Sequence, residues 1–157
     1  MMEDTNMNYE AALRVYAEKL GTHKIMALAA SVNDLVSVRN VSCIFYDDKI
    51  YFKTDKEFRK TRQLLSNPNV ALCSGGVSVE GVAKNLGLLA EQADQRFAKL
   101  YQEYWATSYN AYPHKENEIL IEVAPRFVEI WDQREDFRGF QILIDMDNKT
   151  ATQEDYD

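Results

Sequence analysis

Three apolar runs, His23–Ser31, Leu35–Tyr46 and Ile50–Thr54, follow one another with only short polar turns between them. Asn33-Asp34 joins the first to the second, and Asp47-Asp48 joins the second to the third. Both dipeptides suit tight hairpins. A connection this short joins antiparallel strands only, because a parallel crossover takes about a dozen residues or more. The runs are therefore expected to form an antiparallel meander. That excludes a doubly wound parallel sheet, which needs a helix between nearly every pair of strands.

The remaining segments fit around such a meander. In Tyr9–Leu20 the residues Leu13, Tyr16, Ala17 and Leu20 share one helical face, and Gly21 follows as a stop. Asp55 is placed to cap a second helix from Lys56 to about Ser66, which Asn67-Pro68 ends. Asn69–Cys73 and Val77–Ala83 read as strands broken at Gly75-Gly76. Leu89, Ala93, Phe97, Leu100 and Tyr104 recur at helical steps, so Leu86–Ser108 is expected to be the longest helix. Glu118–Asp132 reads as a long strand bent at Pro125, with a short strand at Ile142–Ile144. No repeat or linker divides the chain. Residues 1–145 are expected to form one domain, and the acidic tail 146–157 is expected to fray. The fold class is mainly β, a small antiparallel barrel with flanking helices.

Composition removes several classes of function. With 46% hydrophobic and 27% charged residues the chain has a soluble globular balance. No apolar run approaches the roughly 18–20 residues that span a bilayer, and MMEDTNMNYE is no secretory leader. A cytoplasmic protein without membrane partners is expected. A net charge of −7 argues against a nucleic-acid partner. Cys43 and Cys73 lie in apolar runs, and small buried thiols in a reducing compartment fit them better than a disulfide. His23 and His114 stand alone, without metal-ligand spacing. Gly76–Gly81 has the wrong spacing for a nucleophile elbow, and no glycine-rich phosphate loop is present. No catalytic side chain and no metal ligand are expected.

One charge feature runs against the acidic background. Lys56, Arg59, Lys60 and Arg62 gather at a helix start. A helix N-terminus adds unpaired N–H groups and partial positive charge, and Arg59 and Lys60 add a fork and a point charge suited to a phosphate dianion. Thr54, just before the helix, offers a hydroxyl. A solvated basic face is the plainer alternative. Arg39 stands nearby on the second strand of the meander, where the apolar residues change phase from Val36 and Val38 to Val41, Cys43 and Phe45. A bulge or a change of buried surface would produce that shift, and so would a strand covered on both faces.

The run VSVRNVSCIFYDDKIYFKTDKEFRKTRQLLSNPNVAL resembles the pyridoxamine 5′-phosphate oxidase-like family of FMN-binding split barrels. The likeness rests on Arg39 in its strand, Ile50–Thr54 ending in threonine, Arg59-Lys60, and Asn67-Pro68-Asn69-Val70 before the next strand. Val79-Glu80-Gly81-Val82-Ala83 and the PRFVEIW segment ending at Trp131 extend it over about residues 22–132. The resemblance implies a homodimer with FMN at the interface and a small-molecule redox substrate. It implies that Arg39, Arg59 and Lys60 hold the FMN phosphate. The backbone of Arg39, Asn40, Val41 and Ser42 would read the ring edge. Lys53 and Thr54 would contact the ring or ribityl chain, and Trp131 would approach from the partner subunit. Ile44 stands where the family's true oxidases have a lysine for substrate phosphate, and WDQREDFRGF replaces their basic segment after the tryptophan. Phe58 replaces a common serine, and Gly75-Gly76 stand near a cofactor-contacting glutamine. A flavoprotein oxidoreductase other than a true pyridoxamine phosphate oxidase is implied. The alternative is a binding or sensing module holding flavin, heme or deazaflavin without turnover.

Overall fold

The computed structural model describes residues 2–156. Met1 and Asp157, the outer ends of the expected domain and tail, lie outside the described residues. The meander forms as expected. Strands β2 (His23–Val32), β3 (Leu35–Tyr46) and β4 (Lys49–Asp55) run antiparallel. Asn33, Asp34, Asp47 and Asp48 all have positive φ, the backbone that two-residue hairpin turns require.

β5 (Asn69–Ser74) joins the other side of β2, and β6 (Val77–Leu88) follows it. β7 (Glu118–Gln133) pairs with β4 on one edge and β6 on the other. That double pairing closes the six strands β2 to β7 into a barrel. Val79, Val128, Phe52, Met26 and Leu28 fill its interior. Gly81 lies where β6 and β7 shift register, and a β-carbon there would come within 2.7 Å of the Ala124 carbonyl oxygen. Helix α1 (Tyr9–Leu20), capped by the Asn8 side chain, lays Ala12, Tyr16 and Leu20 into the same core.

The tail does not fray. β8 (Gly139–Asp145) pairs with β7, β9 (Thr150–Tyr156) with β8, and β1 (Met2–Met7) with β9. The TATQEDY segment buries little apolar surface, but it has a strand on each side to satisfy its backbone groups. The expected helix over Leu86–Ser108 is also corrected. β6 continues to Leu88, and only Arg96–Tyr104 (α3) and Ala106–Ala111 (α4) are α-helical there. Phe97 and Tyr101 of α3 pack with Ile44, Tyr51 and Leu120 in a second apolar cluster.

The phase change at Arg39 involves no bulge. Register with β2 runs unbroken from Ile44 to Leu35. Val36 and Val38 lie on the outer face and are exposed, whereas Val41, Cys43 and Phe45 enter the core. The expectation for the cysteines holds for Cys43, which is buried; Cys73 is exposed, and both are free thiols. Burial pushes the Cys43 thiol up to about 12.

Candidate phosphate site at the split of the barrel

β3 pairs with β4 only through Ile44, Phe45 and Tyr46. From Leu35 to Cys43 its only strand partner among the described residues is β2. The barrel is split there. One backbone group on the open edge is already used, since the Trp105 indole N–H donates to the Cys43 carbonyl at 3.2 Å. Helix α2 (Arg59–Ser66) starts later than expected. Asp55 does not cap it; its Oδ1 accepts from the Glu57 N–H and shapes the turn before it. Phe58 holds the cap position with no side-chain bond, and the first turn holds no acid. The helix itself therefore supplies no acid to its own positive end.

Arg39 comes to that helix. Its Nη2 donates to Gln63 Oε1, and Gln63 Nε2 donates to Ser37 Oγ at 3.2 Å. Arg39 Nη1 is buried with no hydrogen-bond partner. Leaving a buried charged donor unpaired costs more than an ordinary hydrogen bond gains. Burial, then Arg59, pulls the Arg39 guanidinium below its usual range. Burial pulls Lys60 down as well, followed by the charges of Arg39 and Lys53. Among the described residues none of Arg39, Lys56, Arg59, Lys60 and Arg62 enters an ion pair. Three of the expected site residues, Arg39, Arg59 and Lys60, thus meet in one place.

The other expected residues stand differently. The Lys53 ammonium is paired with Glu118, side chains 8% and 4% exposed, and lies 4.9 Å above the Tyr101 ring. Its charge is already neutralised. The Thr61 hydroxyl donates to the Asp55 carbonyl at 2.6 Å, so the Thr54 hydroxyl must be the donor in their shared 3.0 Å bond. Thr54 is buried and its hydroxyl is occupied. Lys53, Phe58, Lys60, Tyr112 and Glu118 border a small cavity of about 80 Å3. Val41 points into the core, Asn40 is exposed, and Ser42 lies beside Tyr101. Trp131, half exposed, stacks on Tyr156 and lines neither this cavity nor the larger one beside α2.

Sequence reasoning missed Gln63, Ser37 and Glu118. Two of them had a signal: Gln63 follows Arg59 by one helical turn, and Ser37 shares the strand face of Arg39. A cavity of about 490 Å3 is bordered by Glu80, Asp145 and Asp147, and its Arg126 is paired with Asp147. It repels anions. No described group of acids, histidines and cysteines could hold a metal ion, and no described helix is long and apolar enough to cross a membrane.

Fold and site together define a split antiparallel barrel with an unneutralised cation cluster at its split. The family model for pyridoxamine 5′-phosphate oxidase matches residues 14–132, and the chain belongs to that family. A pyridoxamine 5′-phosphate oxidase-related, FMN-binding protein from Nostoc punctiforme is similar in structure at 13% identity, TM-score 0.60, over 98% of this chain and 99% of that one. An FAD-binding protein from Mesorhizobium loti is similar at 11% identity, TM-score 0.55, over the whole of both chains. An F420 reductase is similar at 17% identity, TM-score 0.59, over 71% of this chain and 94% of that one. Comparison with curated proteins finds no match.

Proposed function

We propose that Arg39, Arg59 and Lys60 hold the phosphate of FMN, and that the protein is a flavin-dependent oxidoreductase acting on a small molecule. The observation that carries this reading is the buried, unpartnered Nη1 of Arg39 among cations that enter no ion pair among the described residues. A phosphate dianion supplies the missing acceptor and the missing negative charge together. The open edge of β3 offers the backbone of Asn40, Val41 and Ser42 to the polar rim of a flat ring. Lys53 and Thr54 contribute position here, since Glu118 and Thr61 occupy their polar atoms. FMN, when bound, supplies the redox chemistry, and the protein supplies binding and electrostatics. Hence no acid–base pair is needed.

In this reading the protein is a cytoplasmic homodimer. Ile25, Val36 and Val38 form an exposed apolar strip on the outer face of β2 and β3, which a second copy would cover. Trp131 would then approach the partner subunit's flavin. The substrate is not pyridoxamine phosphate. Ile44, at the position of the family's substrate lysine, is fully buried and offers no charge. Likeness to an F420 reductase supports a second reading, in which a deazaflavin takes the place of FMN.

The test is a visible spectrum of the purified protein, followed by titration of the apoprotein with FMN and with F420. Retained or tightly rebound FMN is the expected result. Colourless protein that neither ligand stabilises on heating overturns both readings. Anaerobic mixing with NADH or NADPH then separates an enzyme from a binding module, because only the enzyme's flavin is bleached.

A further inference from the structure

A cavity of about 130 Å3 lies between the C-terminal half of α1 and the β3–β4 hairpin. It shares no lining residue with the two cavities beside the cation cluster. Tyr16 and Leu20, four residues apart on one helical face, border it from α1. Phe45 and the Asp47-Asp48 turn border it from the hairpin. Tyr16 is 1% exposed, and its hydroxyl has no hydrogen-bond partner. A buried hydroxyl left unpaired costs more than a satisfied one gains, so this group asks for a partner that the protein itself does not supply. Burial, then the Asp48 charge, pushes the Tyr16 phenol above its ordinary range, so it keeps its proton to donate. The hydroxyl lies in the field of Asp48, which borders the same cavity.

The charges around this cavity favour a cation. Asp47 pairs with Arg96 at 3.3 Å, and Lys49 pairs with Glu122 at 3.6 Å. Asp48 stands exposed at the rim and enters no ion pair among the described residues. The C-terminal end of α1 adds partial negative charge, and Lys19 in its last turn is paired away with Asp132. An anion is repelled here. Water alone would meet the Tyr16 hydroxyl and leave Asp48 without a counter-charge. A ligand that meets both carries an acceptor oxygen for Tyr16 and a cationic N–H for Asp48. A short carbon chain between them would lie against the buried Leu20 and Phe45. The volume is about four times the roughly 30 Å3 that a water takes in the liquid, which suits about four non-hydrogen atoms.

We infer that this cavity is a second ligand site, for a short amino alcohol whose oxygen accepts from the Tyr16 hydroxyl inside and whose ammonium meets Asp48 at the rim. The site stands apart from the cation cluster and does not depend on the flavin reading. Its occupant would tie α1 to the hairpin that joins β3 and β4, so binding stabilises the fold by mass action.

The test titrates the full chain with ethanolammonium chloride, propylammonium chloride and propan-1-ol, three probes of equal size, followed by calorimetry and melting curves. Ethanolammonium is expected to bind wild type about fivefold tighter than propylammonium, which lacks the oxygen, and at least about tenfold tighter than propan-1-ol, which lacks the charge. Tyr16→Phe is expected to erase the first preference and Asp48→Asn the second. Both variants keep the fold: phenylalanine removes only an unmet donor, and asparagine accepts the positive φ at position 48. Ligand-free Tyr16→Phe is expected to melt at or above wild type, because the hydroxyl it loses has no partner. A lower melting temperature for that variant would show that the hydroxyl is satisfied within the protein and overturns the site. So does ethanolammonium binding that Tyr16→Phe leaves unchanged, or a stabilisation that sodium chloride at equal ionic strength reproduces.

Discussion

Two cationic regions of this molecule are built on opposite rules. At the β7–β9 end, Arg126 meets Asp147, Arg134 meets Asp155, and Arg138 meets Asp136. All three pairs lie in or near solvent. At the start of α2, the more deeply buried Arg39 and Lys60 enter no ion pair among the described residues. Electrostatics alone would place the free cations at the surface and the paired ones inside. Lys53 shows that the chain can follow that rule, since its buried ammonium has Glu118 against it a few residues before the cluster. Crowded, partly buried cations beside such a pair are what the proposed phosphate site requires. The exposed pairs, by contrast, add little to stability.

The comparison breaks first at the cluster itself. Replacing Arg39 and Lys60 together by alanine is expected to cost FMN about 3–6 kcal/mol, from two charge-assisted contacts of about 1.5–3 kcal/mol each. Arg126→Ala, at the paired end, is expected to leave FMN affinity unchanged. Equal losses in the two variants, measured by fluorescence titration, would erase the distinction. Next in size is Glu118→Ala, which strands the Lys53 ammonium in the interior. It is expected to destabilise the fold by about 3–5 kcal/mol in urea unfolding. Replacing Lys53 and Glu118 together by methionine and leucine should recover most of that loss; a double variant as unstable as the single one would show that the pair is needed for more than its charges.

The smallest effect is in pH. Free Lys60 titrates below its ordinary 10.5 because it is buried beside Arg39 and Lys53. The unfolded chain therefore holds that proton more tightly than the folded one. The charged lysine works against folding at neutral pH, and stability recovers as pH rises through the lowered value toward 10.5. Wild type minus Lys60→Met stability, followed over that window, is expected to climb. Bound FMN reverses the sign, so affinity should fall over the same window in wild type and stay flat in the variant. A flat difference curve for the free protein would mean that Lys60 is not pressed by its neighbours.

Much of the fold could be read from local chemistry. Asn33-Asp34 and Asp47-Asp48 announce hairpins because only a few residue types accept their backbone. Tyr9–Leu20 carries its apolar stripe and is followed at once by its stop, Gly21. What stayed hidden depends on distant partners. β9 is polar, and its strand state comes from lying between β1 and β8, which no local pattern reveals. Around Leu86–Ser108 the helical spacing of apolar residues is real, but Leu86 and Leu88 belong to β6, with Leu88 paired to Ile119 of β7, so the helix starts only at Arg96. The alternation around Arg39 looked irregular because Val36 and Val38 were assumed to need cover within the chain. At the site, the convergence of Arg39 with Arg59 and Lys60 was legible from charge against background and from family likeness. That Thr54 and Lys53 would be occupied by Thr61 and Glu118 was not, since both partners arrive through tertiary packing.

The most direct measurement is the ratio of riboflavin to FMN dissociation constants, in wild type and in Arg39→Ala/Lys60→Ala, at fixed salt. The two ligands differ only in the phosphate. If the unpaired cations form its cradle, wild type prefers FMN by about a hundredfold or more, and the preference collapses in the double variant. Riboflavin bound as tightly as FMN by wild type, or a preference that survives the loss of both cations, would contradict the phosphate site at the split of the barrel.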